Sequence, residues 1–424
     1  MKKVSLLLCI PLLLSAHTLT QLYEGLKNRS QTMFDELVVK KADAKKQEVY
    51  SNLYPKIDLI GKYDNYSLPT GMIPLAPNHM LKLVQDSSHP AQPFSYNIYA
   101  AGVTINMPLF VKSIYTMAQK AQMLQQSAAA KKEINLIKNE AVIVSANANL
   151  TYLNALSAAL NAKKSSLLEM KKTVEIKVQN GRSSEAALYM IDDKLNQIDI
   201  ANNSIQIQKN ELVATIETLT GISLDAPVSM QLSKDVESND FDSLNAVREK
   251  IKADKLDLKA QKETLYPSLY AHGSYFYSQG EAYNSKSSIN EEYGNVGVVL
   301  KIPLVDKSRY DEISLASIEV SSGEVELQKF KEELNAKSKA LNASFSLLEN
   351  SKKLYVKSIE EKKKLLQIAK LNYLNERLST EEYLRYEDEV VAAEADLYKS
   401  EALKWQALVQ LAVIYANNIE EMIK

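Results

Sequence analysis

Apolar positions in two separate segments of the chain step by three and four residues. In residues 183–220 the series runs through Leu188, Ile191, Leu195, Ile198, Asn202, Ile205, Lys209, Leu212, Ile216 and Leu219. The same spacing returns 195 residues later at Tyr383, Tyr386, Val390, Ala393, Leu397, Ser400, Lys404, Ala407, Leu411 and Ile414. A seam of this period is typical of a coiled coil. The pattern therefore predicts long helices at 183–220 and 379–416, each packed against another helix.

The two seams belong to a duplication that covers most of the chain. Pro108 and Pro303 each lie 72 residues before the asparagine of a turn, Asn180 and Asn375, so the two copies align without a gap. No proline occurs between residues 109 and 226 or after Pro303. Because an interior proline breaks a helix, this distribution predicts uninterrupted helices at 110–179 and 305–374.

Upstream of each long helix the hydrophobic period changes to two. Leu53-Tyr54-Pro55 and Leu265-Tyr266-Pro267 end predicted helices at 18–53 and 241–265. The alternation that follows predicts strands at 56–66, 96–107, 268–277 and 292–302, with polar loops at 67–95 and 278–291. Each strand has one apolar face, which suits a bilayer-crossing strand. The tyrosines that gather near the loop ends of these strands fit an interfacial aromatic girdle and an ordinary half-buried sheet equally well.

Four strands cannot close a barrel, and an open sheet edge in lipid leaves backbone groups unpaired. The membrane interpretation therefore requires an oligomer. The predicted fold class is an α+β membrane protein with a twofold internal repeat, at 17–221 and 241–424, joined by a linker at 222–240. Four strands per chain contribute to an oligomeric β-barrel, and long antiparallel coiled-coil helices extend from it.

The amino terminus has the three regions of a secretory signal peptide. Lys2 and Lys3 precede an apolar run that ends at the small residues Ser15 and Ala16, so we predict a signal peptide at 1–16. A lipoprotein signal at Cys9 is the weaker interpretation, because Leu8 stands where such a signal has a small residue. Since Cys9 is the only cysteine, cleavage removes disulfide and thiol chemistry. A formal net charge of −1 gives no indication of nucleic-acid binding.

Catalytic chemistry finds no support in the sequence. None of the four histidines is spaced with acidic residues as a metal or triad site requires. We predict no enzyme activity, no cofactor and no metal site. The alternative for a metal is a loop site that uses His79 and His89.

The order of these features resembles the TolC-type outer-membrane efflux protein family over essentially the whole mature chain. The resemblance rests on the two Leu-Tyr-Pro motifs, on Met107-Pro108-Leu109-Phe110 and Ile302-Pro303-Leu304, on Gly181 and on Leu219-Thr220-Gly221. It implies a homotrimer with a twelve-stranded barrel in the outer-membrane lipid and an α-helical tunnel across the periplasm. It also implies docking to a periplasmic adaptor (membrane fusion) protein and an inner-membrane pump, and export of drugs, toxins or proteins.

The resemblance also implies roles for residues around the two turns. The family has a glycine, a small polar residue three positions later and an acidic residue at six. The first turn has Gly181, Ser184 and Ala187 at these positions, whereas the second has Glu376, Ser379 and Glu382. Glutamate at the glycine position predicts a strained or slightly different second turn.

Two groups of candidate site residues follow from this alignment. The periplasmic constriction is expected to use Tyr373, Glu381, Glu382 and Arg385. Arg385 occupies a second acidic position of the family. In a trimer these residues would form a ring of charges, and Arg385 could pair with the glutamates of that ring, whereas a purely acidic ring would attract cations. The adaptor-contacting helix tips are expected at Gly181, Arg182, Ser184, Glu376, Arg377 and Leu378. For Glu381, Glu382, Glu387 and Asp388 the competing interpretation is a solvated helix face.

A soluble periplasmic coiled-coil adaptor or scaffold protein is the alternative function. In that case the strands would belong to a small β-domain with its own core.

Overall fold

The computed structural model describes residues 17–85 and 91–424, so the predicted signal peptide lies outside the described residues. The elements follow in the order α1 (Leu19–Lys27), α2 (Ser30–Ser51), β1 (Lys56–Gly71), α3 (Pro77–Gln85), β2 (Phe94–Phe110), α4 (Lys112–Gln179), α5 (Glu185–Thr220), a 3₁₀ turn (Asp242–Leu244), α6 (Asn245–Glu263), β3 (Ser268–Glu281), β4 (Ser288–Lys301), α7 (Lys307–Leu374), α8 (Thr380–Tyr415) and α9 (Ile419–Met422). The two long helices, α4 and α7, have 68 residues each, and the returning helices α5 and α8 have 36 each. The equal lengths reflect the duplication.

Both copies contribute to each of two compact units. A helical unit contains the chain up to Val38 together with residues 129–246 and 327–424, and a sheet unit contains Val39–Ala128 and Val247–Glu326. The two units therefore cut across the two sequence repeats. Among the described residues, no helix combines the length and apolar composition needed to cross a bilayer.

The sheet unit contains one antiparallel sheet with the strand order β1-β2-β3-β4. Its register aligns apolar side chains in rows across the strands, such as Ile57 opposite Ile105 and Leu269 opposite Leu300. Most side chains of this face are open to the surroundings, since Ile57 is 64% exposed, Leu59 84% and Val296 91%. One apolar face of the sheet is thus uncovered within the chain.

The strands are longer than the sequence pattern predicted. β1 continues to Gly71 and β2 already begins at Phe94, so the predicted loop 67–95 is shorter and contains α3. The register shifts between Asn65 and Thr70, and this irregularity lets the pairing continue past the predicted strand end.

The predicted coiled-coil seams are confirmed by burial. No seam position of α5 or α8 is exposed, and Ile191, Ile216 and Leu411 are almost fully buried. The polar seam position Lys404 pairs with Glu349 and lies over the Phe345 ring.

The single helix predicted at 18–53 is wrong, because the structure contains two helices there. The helical turn ends at Asn28, whose backbone N–H donates to the carbonyls of Gly25 and Leu26. The break lets α1 pack closely on the end of α5, where a Cβ on Gly25 would lie 2.5 Å from the Thr220 carbonyl oxygen. α1 therefore enters the core, whereas α2 buries no residue and leaves Phe34 60% exposed.

The linker 222–240 is fixed to the helical unit at both of its sides. The Asn147 side chain of α4 is fully buried, donates to the Val228 carbonyl at 2.7 Å and accepts from the Val228 N–H at 2.8 Å. Further along, Leu232 forms a β-bridge with Ile423 after α9. These contacts replace a flexible connection between the repeats with an ordered one.

We expect Asn147→Ala to destabilise the helical unit, because it leaves both backbone groups of Val228 without their partner in a buried place. Two unsatisfied buried groups cost about 2–5 kcal/mol, which urea unfolding followed by circular dichroism measures. The matched control is Asn149→Ala, since among the described residues the Asn149 side chain donates to the Ser145 carbonyl of its own helix and not to the linker. Equal losses for the two variants would contradict the role assigned to Asn147.

Candidate functional site at the helix turns

The two helix turns have the same backbone geometry. Gly181 has φ +69° and Glu376 has φ +60°. In each turn the next residue closes a six-residue loop, with Arg182 N–H donating to the Lys177 carbonyl and Arg377 N–H to the Asn372 carbonyl, both at 2.8 Å. This is the Schellman arrangement, which normally uses glycine. Of the two alternatives predicted for the second turn, the structure has the strained one, with Glu376 in the left-handed region and a turn of the same shape.

Lys177 connects the end of α4 to the second turn. Its ammonium lies 3.2 Å from Glu376 Oε1 and 5.7 Å from the centre of the Tyr373 ring. The carboxylate is 67% exposed, so the ion pair contributes little to stability. Its main effect is to hold the Glu376 side chain, whose backbone is left-handed, beside Lys177 of the first hairpin.

The helices after the two turns are capped differently. Ser379 Oγ accepts from the Glu382 N–H at 3.2 Å, and Glu382 Oε2 accepts from the Ser379 N–H at 3.0 Å. The Ser379 N–H and the Ser379 hydroxyl both donate to this carboxylate, and these two hydrogen bonds hold the pKa of Glu382 below its usual value. Ser184 makes no side-chain cap, since the Ala187 N–H donates to the Ser184 carbonyl at 3.1 Å, and Ala187 has no side-chain acceptor that could complete a capping box. The Glu382 carboxylate is therefore part of the cap at the start of α8.

Three of the four predicted constriction residues line one groove between α5 and α8. Glu381, Glu382 and Arg385 share this groove of about 370 Å³ with Met190, Asp193, Lys194, Leu384 and Asp388. Two basic residues stand among four acidic ones in this lining, so the wall is not a simple acidic surface. Arg385 also lies over the Tyr386 ring, 5.7 Å from its centre.

Tyr373, the fourth predicted constriction residue, does not line the groove. Its ring stacks on that of Tyr383 with the centres 5.2 Å apart. It packs half-buried against an apolar cluster whose fully buried members include Leu167 and Ile191. Tyr373 thus connects the second turn to the core between the hairpins.

A buried polar network behind this groove escaped the sequence reasoning. Glu387 is only 6% exposed, and its Oε1 accepts from the Tyr383 hydroxyl at 2.9 Å and from the Ser166 hydroxyl of α4. The next residue, Asp388, pairs with Lys163 of α4 and lies 3.7 Å from Lys194 of α5. The solvated-face interpretation is therefore wrong for Glu387. A signal was available, because Glu387 follows the seam residue Tyr383 by one helical turn.

Burial changes the acid–base behaviour of this network. Loss of water around the Tyr383 hydroxyl, together with the charge of Glu387, raises the pKa of Tyr383 to about 12. Burial also lowers the pKa of the Lys163 ammonium, and the neighbouring Lys194 acts in the same direction. The network consequently favours a neutral tyrosine that donates to a carboxylate.

The predicted adaptor-contacting residues differ in how much surface they present. Gly181, Arg182, Ser184, Glu376 and Arg377 are exposed. Leu378 is half-buried and packs against the apolar cluster below the turns. The two arginines are the most prominent charged groups of the tips.

No catalytic arrangement appears at these turns. In the part of the chain that the structure describes, no group of three or more metal-binding side chains comes together. The alternative metal site in the loop was predicted to use His79 and His89. His79 lies on α3, and His89 is outside the described residues. The arrangement can position helices and present charge, which are the properties of an entrance or a docking surface.

Comparison with solved structures identifies the class of the fold. No family model and no curated protein matches the sequence. The outer membrane channel CmeC of Campylobacter jejuni is similar in structure, with a TM-score of 0.76 at 15% identity, over 94% of this chain and 85% of that one. The fold is that of the TolC-type outer-membrane channels, which confirms the predicted fold class.

Two further structures agree over nearly their full length. The outer membrane protein VceC of Vibrio cholerae has a TM-score of 0.75 at 14% identity and covers 94% of this chain and 95% of that one. The open state of the outer membrane channel MtrE of Neisseria gonorrhoeae has a TM-score of 0.75 at 14% identity, with 95% and 90% covered. At these identities the similarity defines the fold.

We expect Ser379→Ala to destabilise the first turn of α8 by about 1 kcal/mol, because it removes a side-chain cap. Ser184→Ala is the matched control, since Ser184 caps nothing with its side chain. Hydrogen exchange at the Glu382 and Ala187 amides measures both effects. Similar exchange rates for the two variants and the unaltered protein would contradict the asymmetry of the caps.

Glu387→Leu should lower the free energy of unfolding by about 2–4 kcal/mol, because the Ser166 and Tyr383 hydroxyls lose their buried acceptor. Glu389→Leu is the control, because Glu389 pairs with Lys362 at a more exposed place and should cost less than about 1 kcal/mol. Denaturant titration distinguishes the two. A smaller loss for Glu387→Leu than for Glu389→Leu would show that the network does not stabilise the hairpins.

Proposed function

We propose that the chain is the outer-membrane exit channel, a trimeric tunnel, of a tripartite efflux or type I secretion system. The observation that carries this proposal is the four-stranded sheet, which has an uncovered apolar face and two free edges within the described residues. Lipid would cover such a face, and further copies of the chain would pair such edges. Similarity to outer-membrane channels over almost the whole chain supports the same function.

Helical surfaces support an assembly of copies as well. α5 leaves Ile200 and Ile207 more than half exposed, and α7 does the same with Leu347, Leu354 and Ile368. Apolar residues that recur along a helix and face outward mark a contact surface. The exposed parts of these two helices also differ in charge, since Asp193 and Glu211 lie on α5 whereas lysines dominate the middle of α7. Copies that join through α5 and α7 would bury these exposed apolar residues of both helices.

The groove residues would form the closed entrance of the assembled tunnel. Glu381 and Arg385 are exposed at the groove, and three copies would bring three such sets around one axis. Opposite charges in each set favour pairing within the ring. Tyr373 would hold the two helices of the second hairpin together through its stacking on Tyr383, and Lys177 of the first hairpin lies over the same ring.

The exposed turns would be the contact site for a periplasmic adaptor that connects the tunnel to an inner-membrane pump. Arg182 and Arg377 extend from turns of equal geometry, so the assembly would present equivalent arginines from both repeats. A signal peptide at 1–16 would direct export of the chain.

The soluble adaptor alternative is less well supported. A small β-domain would bury the apolar face of its sheet, yet Leu59, Val296 and Leu300 are each at least 60% exposed. Comparable solved structures are outer-membrane channels and not enzymes, which argues against a catalytic function as well.

Planar lipid bilayers test the proposed channel directly. The purified full-length chain should form trimers in detergent and insert with a small, infrequently open conductance. Tyr373→Ala should raise the open probability, because it removes the stacking on Tyr383, whereas Tyr398→Ala, away from the turns, should not. A protein that stays monomeric and gives no conductance would refute the proposal.

Site-specific photo-crosslinking tests the adaptor contact. A photoreactive residue at Arg182 or Arg377 should crosslink to a periplasmic adaptor in cells, because both side chains are exposed at the tips. The control position is Lys339, which is exposed on α7 away from the turns. Equal crosslinking from Lys339 and from the two arginines would show that the tips are not the contact site.

A further inference from the structure

An apolar cavity lies between α2, α4, α6 and the base of the sheet, within the sheet unit. Its volume is about 640 Å³, which is in the range of small-molecule sites. Its walls are mainly aliphatic, with Val49, Ile114, Met117 and Leu124 among the lining residues. Flexible and aliphatic walls suit an alkyl chain better than a planar ring.

A second, smaller cavity of about 170 Å³ adjoins the first. The two share the wall residues Ser113, Thr264 and Tyr270, so they lie side by side and are together called the joint cavity. The walls of the second cavity carry Lys112, Lys301 and Arg309. One end of the joint cavity is therefore apolar and the other is basic.

The charge of the joint cavity is strongly one-sided. The apolar part is bordered by Lys45, Lys56 and Lys120 and by no acidic residue. In the basic part the acidic residue is Glu263, which accepts a hydrogen bond from the buried Thr116 hydroxyl. The residues that line the joint cavity thus include six cations and one carboxylate, in a chain whose overall formal charge is −1.

Three of these cations lack a carboxylate partner. Lys45 pairs with Glu48, Lys120 with Asp257 and Arg309 with Asp306. Lys56, Lys112 and Lys301 form no ion pair among the described residues, and Lys112 lies over the Tyr266 ring at 5.6 Å. Unpaired ammonium groups beside an apolar space are the arrangement that recognises an anionic headgroup on an apolar tail.

We propose that this joint cavity binds an anionic amphiphile, with its acyl chain in the apolar part and its headgroup in the basic part. The inference does not depend on the proposed channel function, because both parts lie within the sheet unit. A membrane phospholipid and a free fatty acid share this chemistry.

Native mass spectrometry of the full-length protein in an uncharged detergent tests the site. The probes are lysophosphatidylglycerol and lysophosphatidylcholine with the same acyl chain, so that only the headgroup charge differs. We expect the anionic lipid to bind roughly tenfold more strongly. Lys112→Ala combined with Lys301→Ala should abolish this preference, and Leu124→Trp should weaken both lipids because it fills the chain cavity.

Matched controls lie outside the cavity. Lys337→Ala with Lys339→Ala removes two exposed lysines of α7, and Leu403→Trp enlarges a leucine of α8 that is 43% exposed, close to the 39% of Leu124. These controls should leave both affinities unchanged. Equal binding of the two lysolipids, or a headgroup preference that survives the double lysine variant, would overturn the proposal.

Two further probes distinguish the sources of the ligand. Selective binding of two-chain phosphatidylglycerol would identify a membrane lipid, and selective binding of laurate would identify a single-chain amphiphile. Either result supports the site. Failure of both probes to bind would refute it.

Discussion

Unpaired backbone along two strands is the constraint on which the rest of the molecule depends. β1 bonds only to β2 and β4 only to β3 within the described residues, so each outer edge presents N–H and C=O groups that require partners. Four antiparallel strands alternate in direction, so β4 of one copy runs opposite to β1 of the next. A ring of copies therefore continues the antiparallel order without interruption, and the uncovered apolar rows would then face one common direction.

The two helix turns have the same backbone shape but differ in the residues that stabilise them. The first turn combines an unstrained Gly181 with an uncapped Ser184, whereas the second combines a strained Glu376 with a complete capping box. Strain at the second turn costs about 1 kcal/mol, and the cap offsets a similar amount. The second hairpin thus keeps its shape through polar side chains that respond to pH and salt, unlike the first.

Periodicity was sufficient to predict the architecture, because the seams and the strand alternation record burial directly. It failed where tertiary contacts decide. The continuous 3.6-residue pattern hid the break at Asn28, which exists because Gly25 allows α1 to approach Thr220. Helical spacing marked Tyr383 as buried but left Glu387 undecided, since a glutamate on a helix is usually solvated. The contact of α8 with Ser166 of α4 encloses this carboxylate, in addition to the Tyr383 hydroxyl of its own helix.

The hydrogen bonds of Glu387 make the hairpins respond differently to two kinds of displacement. If α8 swings away from α4, water reaches the carboxylate and replaces the Ser166 hydroxyl, so the exchange is nearly balanced. If α8 instead slides along α4, the carboxylate loses that donor while it remains enclosed, and nothing compensates for the loss. The hydrogen bond between Ser166 and Glu387 therefore opposes sliding of α8 along α4 more than it opposes hinged separation.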